Sequence, residues 1–392
     1  MLTPGRCLNG CRWMPETMLV NYWYAHPVGH CIEALRYCLG YKAADRDLSV
    51  SVLLNEATPV ELARCCSFIN SVYPVPYTTF EQPDGDPRAA LATVPPTWDW
   101  VVDNHRELQS SHDAFAGFRR FYDAAGEYFQ ARRGHNWTGG EPPPYLPHQQ
   151  LRLELPAAAR RRAHETLGGR RAISVLLAGH SDPRAFYPSV ASWQLILGEI
   201  AERFPDVVFC LIGKLGSGSA RSTSTITRAE VERLLRSLPA SDCFDRPLLE
   251  QLAIVEASAL YVSPHSGFGF AAVSVGTPWL AISGGQWHEP FFNGVPFYSV
   301  IPDTKRYPCF GWGAPLPIVA ADEDGEGPRT VSMSAARIRD DLPEIVHAAE
   351  LLLDGRLDYE QALRQYFPRL LAAYDGDRSR VFSFDGIDSA YI

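Results

Sequence analysis

Apolar residues alternate between two rhythms along the chain. Residues 19–24 (LVNYWY) form a nearly unbroken apolar run and predict a buried strand. The loop 25–30 (AHPVGH) follows. Ile32, Leu35 and Leu39, with Ala34 and Cys38 between them, then recur at helical spacing. Residues 48–54 (LSVSVLL) predict a second strand, and residues 59 to about 69 a helix. A third strand, 98–103 (WDWVVD), ends in the polar loop 104–106. Strand, helix, strand in alternation predicts a parallel sheet with helical crossovers.

The rhythm breaks over 134–150, where Gly139, Gly140, Pro142, Pro143, Pro144 and Pro147 exclude a helix or a central strand. A domain linker is placed between there and Arg171, and the basic run Arg160, Arg161 and Arg162 is read as a solvated helix face. The alternation then restarts. Strands are predicted at 172–178, 207–212, 259–262 and 278–282, and helices at 190–203, at 248–258 and from Gly267. An irregular stretch with an acidic surface insert at 322–326 runs to 334, and helices follow at 335–353 and 358–374. The expected plan is an irregular extension over 1–17, α/β domains over 18–160 and 171–334, and C-terminal helices within 335–392.

Composition narrows this plan. At roughly 150 residues per domain, 392 residues suit two or three domains. A hydrophobic fraction of 46% with 21% charge excludes general disorder. Apolar runs are too short for a membrane span. A net charge of −9 disfavours a nucleic-acid partner. Nine cysteines, an odd number without CxxC or zinc spacing, suit free thiols in a reducing, cytoplasmic setting. The first 18 residues lack an apolar core and a cleavage site, so no signal peptide is expected. Lys42, Lys214 and Lys305 are the only lysines among many arginines, which makes Lys214, in a glycine-rich loop after a predicted strand, conspicuous.

Open α/β sheets bind ligands at the carboxyl ends of their strands. One such end is the turn 263–269 (SPHSGFG), which leads into the small-residue helix pattern 270–275. Ser266, Gly267 and Gly269 would let a ligand approach the backbone, and the N–H groups and dipole of a helix start favour an anion such as a diphosphate. The turn is neither a GxGxxG fingerprint nor a Walker A loop, and it carries His265, which a tight turn does not require. HExxH, a GxSxG elbow and a metal-demanding DxD pair are absent, so no metal and no cofactor are expected.

The stretch 262–282 (VSPHSGFGFAAVSVGTPWLAI), followed by Gly284 and Gly285, resembles the donor motif of the heptosyltransferase-like GT-B glycosyltransferases. Three other stretches agree in order: 98–105 (WDWVVDNH), the aromatic-Pro step from Phe186 to Pro188 with Trp193 beyond it, and Cys309 after a loop. The chain departs from the family at four places. His265 stands where the family has Asp, Phe270 where it has His, and Ala185, beside Arg184, where it has Lys. The loop after the first strand offers His26 and His30 in place of a frequent Asp.

The resemblance implies the GT-B fold, two Rossmann-like doubly wound domains facing a cleft, with the acceptor on the first and a nucleotide-sugar on the second. The C-terminal helices would then cross back to the first domain. It implies inverting transfer to a hydroxyl of a small-molecule or glycan acceptor, and the departures fit a natural-product tailoring branch. Such transfer needs a base, for which histidine suits neutral pH. His30, next to Gly29 at the start of a helix, leads, with His26 and Asp103 as alternatives, while Gly29 and His105 would face the acceptor. His180, Arg184, Lys214, Asp245, His265, Ser266, Gly267, Phe268 and Gly269 are the donor nucleotide and diphosphate candidates. Gln286 and Glu289 are the donor-sugar candidates. A nucleotide-sugar epimerase, a non-catalytic nucleotide-sugar-binding partner protein and, more weakly, a dinucleotide enzyme are the competing readings.

Overall fold

The computed structural model describes residues 15–23, 28–76, 85–103, 116–133, 143–179, 184–215, 223–284, 288–308 and 320–392. They divide between two compact units. The first takes its residues from Met1–Tyr24, Tyr37–Glu56 and Phe68–Leu146, and the second from Ala25–Arg36, Ala57–Ser67 and Pro147–Ile392.

The first unit holds a five-stranded sheet of β1 (Thr17–Tyr22), β2 (Ser49–Asn55), β3 (Ile69–Val75), β4 (Thr97–Asp103) and β5 (Gln130–Arg133), in the order β3-β2-β1-β4-β5. Every pairing is parallel. β1 and β2 are buried almost throughout, as strands covered on both faces must be. Trp23 stacks on Phe121 with ring centroids 4.3 Å apart and meets Phe118 edge-on. Phe118 and Phe121 come from α3 (Ala116–Tyr128), which with the short α2 (Pro87–Leu91) covers the sheet beside Leu19, Leu53 and Val101.

The expected helix over 59–69 is replaced by tight turns, a single 3-10 turn at Ala63–Cys65, and then β3. Leu62, Ala63, Cys65 and Cys66 each donate a backbone bond to the carbonyl three residues back, so the chain never reaches α-helical pitch. β3 contains Pro74, which an edge strand tolerates because one side of its backbone needs no partner.

The second unit holds β6 (Arg171–Leu176), β7 (Val207–Ile212), β8 (Ala240–Asp242), β9 (Leu260–Pro264), β10 (Trp279–Ile282) and β11 (Phe297–Val300). Their order is β11-β10-β9-β6-β7-β8, again all parallel. The chain winds outward from β6 through β7 to β8, returns to β9, and winds the other way. β6 and β9 therefore flank the topological switch point, where open sheets present a crevice.

Helices α4 (Ala157–Leu167), α5 (Val190–Arg203), α6 (Arg228–Ser237), α7 (Leu248–Glu256), α8 (Gly267–Ser274), α9 (Ala335–Leu353) and α10 (Tyr359–Ala373) complete this unit. α9 packs on α5, β10 and β11, and α10 packs on β11. These contacts lie within the second unit; buried Ile338, Ile345, Ala349 and Phe367 give the two helices an apolar face for this sheet.

The basic run is exposed, as the sequence suggests, yet it and the acidic insert both make ion pairs or caps. Arg160 makes a two-pronged pair with Glu256 at 2.7 Å, and Arg162 pairs with Glu250, so the basic run ties α4 to α7. Glu326, at the end of the acidic insert, is 7% exposed and accepts the Val190 N–H at 2.7 Å and the Ala191 N–H at 3.2 Å. It caps α5, the favoured place for a carboxylate on a helix dipole.

Candidate functional site

The site is built at the exits of the strands that flank the second switch point. β9 is fully buried and delivers His265 and Ser266 directly into α8. Ser266 occupies the N-cap position in extended backbone, yet its hydroxyl caps nothing and is a buried oxygen without a partner. The first N–H groups of α8 are thus not consumed by the side chain that ordinarily takes them. A helix start in this state suits an oxyanion.

The glycines of this turn have a further explanation. A Cβ on Gly267 would lie 2.7 Å from the Gly29 nitrogen, so the starts of α1 (Val28–Ala44) and α8 touch backbone to backbone. A Cβ on Gly269 would land in the Trp279 indole, whose N–H donates to Ser263 Oγ at 3.0 Å. Both positions are glycine because of what packs on them. Phe268 lies against Tyr261 with centroids 5.9 Å apart.

His30 stands in the first turn of α1, with Nδ1 3.2 Å from Glu33 Oε2. The Glu33 side chain is 2% exposed and that of His30 25%. A buried carboxylate behind a partly exposed imidazole fixes the orientation of the ring. Sequence reading missed Glu33, although its i, i+3 spacing from His30 was available. Arg36, one turn on, donates to the Phe292 carbonyl at 2.7 Å and pairs with Asp385, anchoring this end of α1 within the second unit.

Asp103 ends β4 in the first unit. It is 3% exposed and accepts a hydrogen bond from Asn21 Nδ2 at 2.6 Å across the β1–β4 register. Arg184 lies in a 3-10 turn after β6 and pairs with Glu230 of α6. Lys214 leaves β7 and its carbonyl accepts the Ser224 N–H at 2.6 Å. Asp245 holds a left-handed backbone (φ 59°), accepts from the Leu215 N–H at 2.7 Å and pairs with Arg228 at 3.2 Å. Lys214 and Asp245 therefore belong to one knitted exit from β7, which Ser224 ties to the Ala178 carbonyl after β6.

Glu289 is 1% exposed and accepts from Ser299 Oγ at 2.6 Å, while the Tyr366 hydroxyl lies 3.3 Å from the same carboxylate oxygen. Its other oxygen faces His265 Nδ1 at 3.8 Å. Burial raises the Glu289 carboxyl, but His265 first, and then Ser299, pull it below the ordinary range. Its neighbour His288 is pushed down to about 4, chiefly by burial. The His288 nitrogens meet the Tyr374 hydroxyl and the Phe382 carbonyl, each at 3.3 Å. The predicted sites His26, His105, His180 and Gln286, and also Cys309, lie outside the described residues.

No family model matches the chain, and no curated protein matches it. Among solved structures it is similar to a glycosyl transferase family 9 protein from Veillonella parvula, with 14% identity and TM-score 0.52, over 88% of this chain and 99% of that one. It is also similar to the E. coli ADP-heptose LPS heptosyltransferase II, with 11% identity and TM-score 0.53, over 87% of this chain and 99% of the other. The chain thus shares the α/β GT-B fold of these structures. Among the described residues no helix is long and apolar enough to cross a membrane.

Proposed function

We propose that this chain is a cytoplasmic, metal-independent, inverting glycosyltransferase that moves a sugar from a nucleoside-diphosphate sugar to a hydroxyl of a small-molecule or glycan acceptor. The observation that carries this reading is the start of α8 at the switch point of the second sheet, preceded by His265 and left without a side-chain cap. The donor diphosphate would accept hydrogen bonds from those N–H groups. They would also take the charge that builds on the leaving group, the role a bound cation fills elsewhere. The ADP-heptose named for the E. coli structure supports a nucleotide-sugar as the donor class.

In this reading His30 removes the acceptor hydroxyl proton as the oxygen attacks the anomeric carbon and the bond to the diphosphate breaks. Glu33 then stabilises the imidazolium that forms. A tailoring role on natural products is the proposed setting, because His30 replaces the carboxylate frequent in the family and gives the acceptor side a neutral base. Calorimetry against a panel of nucleoside diphosphates tests the donor half, and failure of every one to bind overturns it. His30→Ala tests the base. Transfer should fall by about 10²–10⁴-fold with donor binding retained, and near-normal turnover would remove His30 from the role.

A further inference from the structure

His265 and Glu289 come from different strand exits, yet their side chains converge. His265 Nδ1 and Glu289 Oε1 are both buried, both without a hydrogen-bond partner, and 3.8 Å apart. Buried polar atoms seek partners, and a small movement across this gap satisfies both at once. The carboxylate is already set from the other side by Ser299 of β11 and Tyr366 of α10. The His265 side chain is 15% exposed against 1% for Glu289, so the ring is the outer member of the pair and the carboxylate the inner one. The ring also meets Phe270 edge-on, with centroids 6.1 Å apart, which limits its rotation.

From this arrangement we infer that Glu289 is a positioning residue, which holds His265 by Nδ1–H so that Nε2 is turned to the start of α8 to meet a phosphoryl oxygen of a diphosphate. This replaces the donor-sugar role read for Glu289 from sequence, and it rests on the reading of the α8 start as a diphosphate site. The carboxylate accepts from one ring nitrogen, and the other is left to meet the phosphoryl oxygen. The ionisable groups around the pair are His288, beside Glu289, and Tyr366, against its carboxylate. His288 is held neutral and Tyr366 stays protonated, so neither brings a charge of its own to the pair.

The test is nitrogen-15 NMR of the His265 ring in the full chain, assigned with His265→Gln. Wild type should carry its proton on Nδ1, and Glu289→Gln should move the ring toward the Nε2–H tautomer. A wild-type ring in the Nε2–H form, or a spectrum unchanged by Glu289→Gln, overturns the inference. Should Glu289→Gln fail to fold, Ser299→Ala loosens the carboxylate instead, and an unchanged ring then overturns it equally. The ligand arm uses inorganic pyrophosphate, whose binding should weaken about tenfold in Glu289→Gln and in His265→Gln. Equal binding by all three proteins also overturns the inference. If nucleoside diphosphates and pyrophosphate fail to bind wild type while the NMR result holds, the diphosphate reading falls and the positioning of His265 stands.

Discussion

Gly269 shows how one missing side chain can be read in two ways. From the sequence it suggests room for a ligand at the backbone; in the fold, its open side is filled by the Trp279 indole. Trp279 is 1% exposed and held through its N–H by Ser263, so it has little freedom to retreat. Gly269→Ala should therefore destabilise the protein by about 1–3 kcal/mol through overpacking. Urea unfolding checks this, and an unchanged midpoint would mean that the indole yields. Gly267 is constrained differently, by the backbone of Gly29, which has no rotamer to change. Its replacement by alanine should push the starts of α1 and α8 apart. Weaker nucleoside-diphosphate binding, measured by calorimetry, is the expected sign. Neither glycine is required by its backbone angles, since neither has a positive φ.

At the scale of elements, helix ends carry predictions that core packing does not. The start of α5 depends on Glu326, which also pairs with Arg233 and Arg329. Arg329 is 6% exposed, and Glu326→Ala removes one of the carboxylates that face it beside Asp324 and Glu230, together with the acceptor of two N–H groups of α5. A loss of about 1–3 kcal/mol is expected, the scale for leaving buried donors unsatisfied. The capping box of α6, Thr227 with Glu230, is more exposed, and Thr227→Ala should cost only about 1 kcal/mol. Urea midpoints should rank the two variants in that order, and the reverse order would mean that Glu326 is a surface charge after all. The T-x-x-E of that box stood in the sequence and would have located α6, which the periodicity reading missed. Strands were legible by position in the sheet. β1, β2, β4, β6, β7, β9 and β10 are all interior strands, and buried apolar runs announced each of them. Among the described residues β3, β5, β8 and β11 are the edges, and all four went unseen. Edges are short, polar or carry proline because they must resist further pairing, and those same properties erase the apolar signal. The candidate site divides the same way. His30 and His265 could be found because strand ends and helix starts are local features. Glu289 was named without its role, because its partners Ser299 and Tyr366 reach it only through the tertiary fold.

Across the whole molecule, both sheets follow one winding plan, outward from a central strand and back to its other side. The stability of such a chain depends on pH wherever that plan buries an ionisable group. His288 is the informative case, because β10 delivers it into the interior against Tyr374 and the Phe382 carbonyl. Its folded value is about 4, pushed down first by burial, against about 6.5 in an unfolded chain. Between those values the unfolded state binds a proton that the folded state refuses, so stability rises with pH through this window. The full contribution is present above about pH 6.5 and is lost progressively as pH falls toward 4. At about pH 5 the loss should be on the order of 2 kcal/mol, approaching about 3 near pH 4. The Glu289 carboxylate, held below its ordinary value, adds a second and lower window, present above its unfolded value and lost as pH falls through its folded one. The two are separable by substitution. Urea unfolding of wild type and His288→Gln at pH 7 and pH 5 should show a marked loss in wild type and a much smaller one in the variant. The fall that remains below pH 4.5 in His288→Gln belongs to the carboxylates. Equal losses in both proteins between pH 7 and pH 5 would mean that His288 takes up its proton in the folded state, with the Phe382 carbonyl and Glu289 compensating for the buried charge.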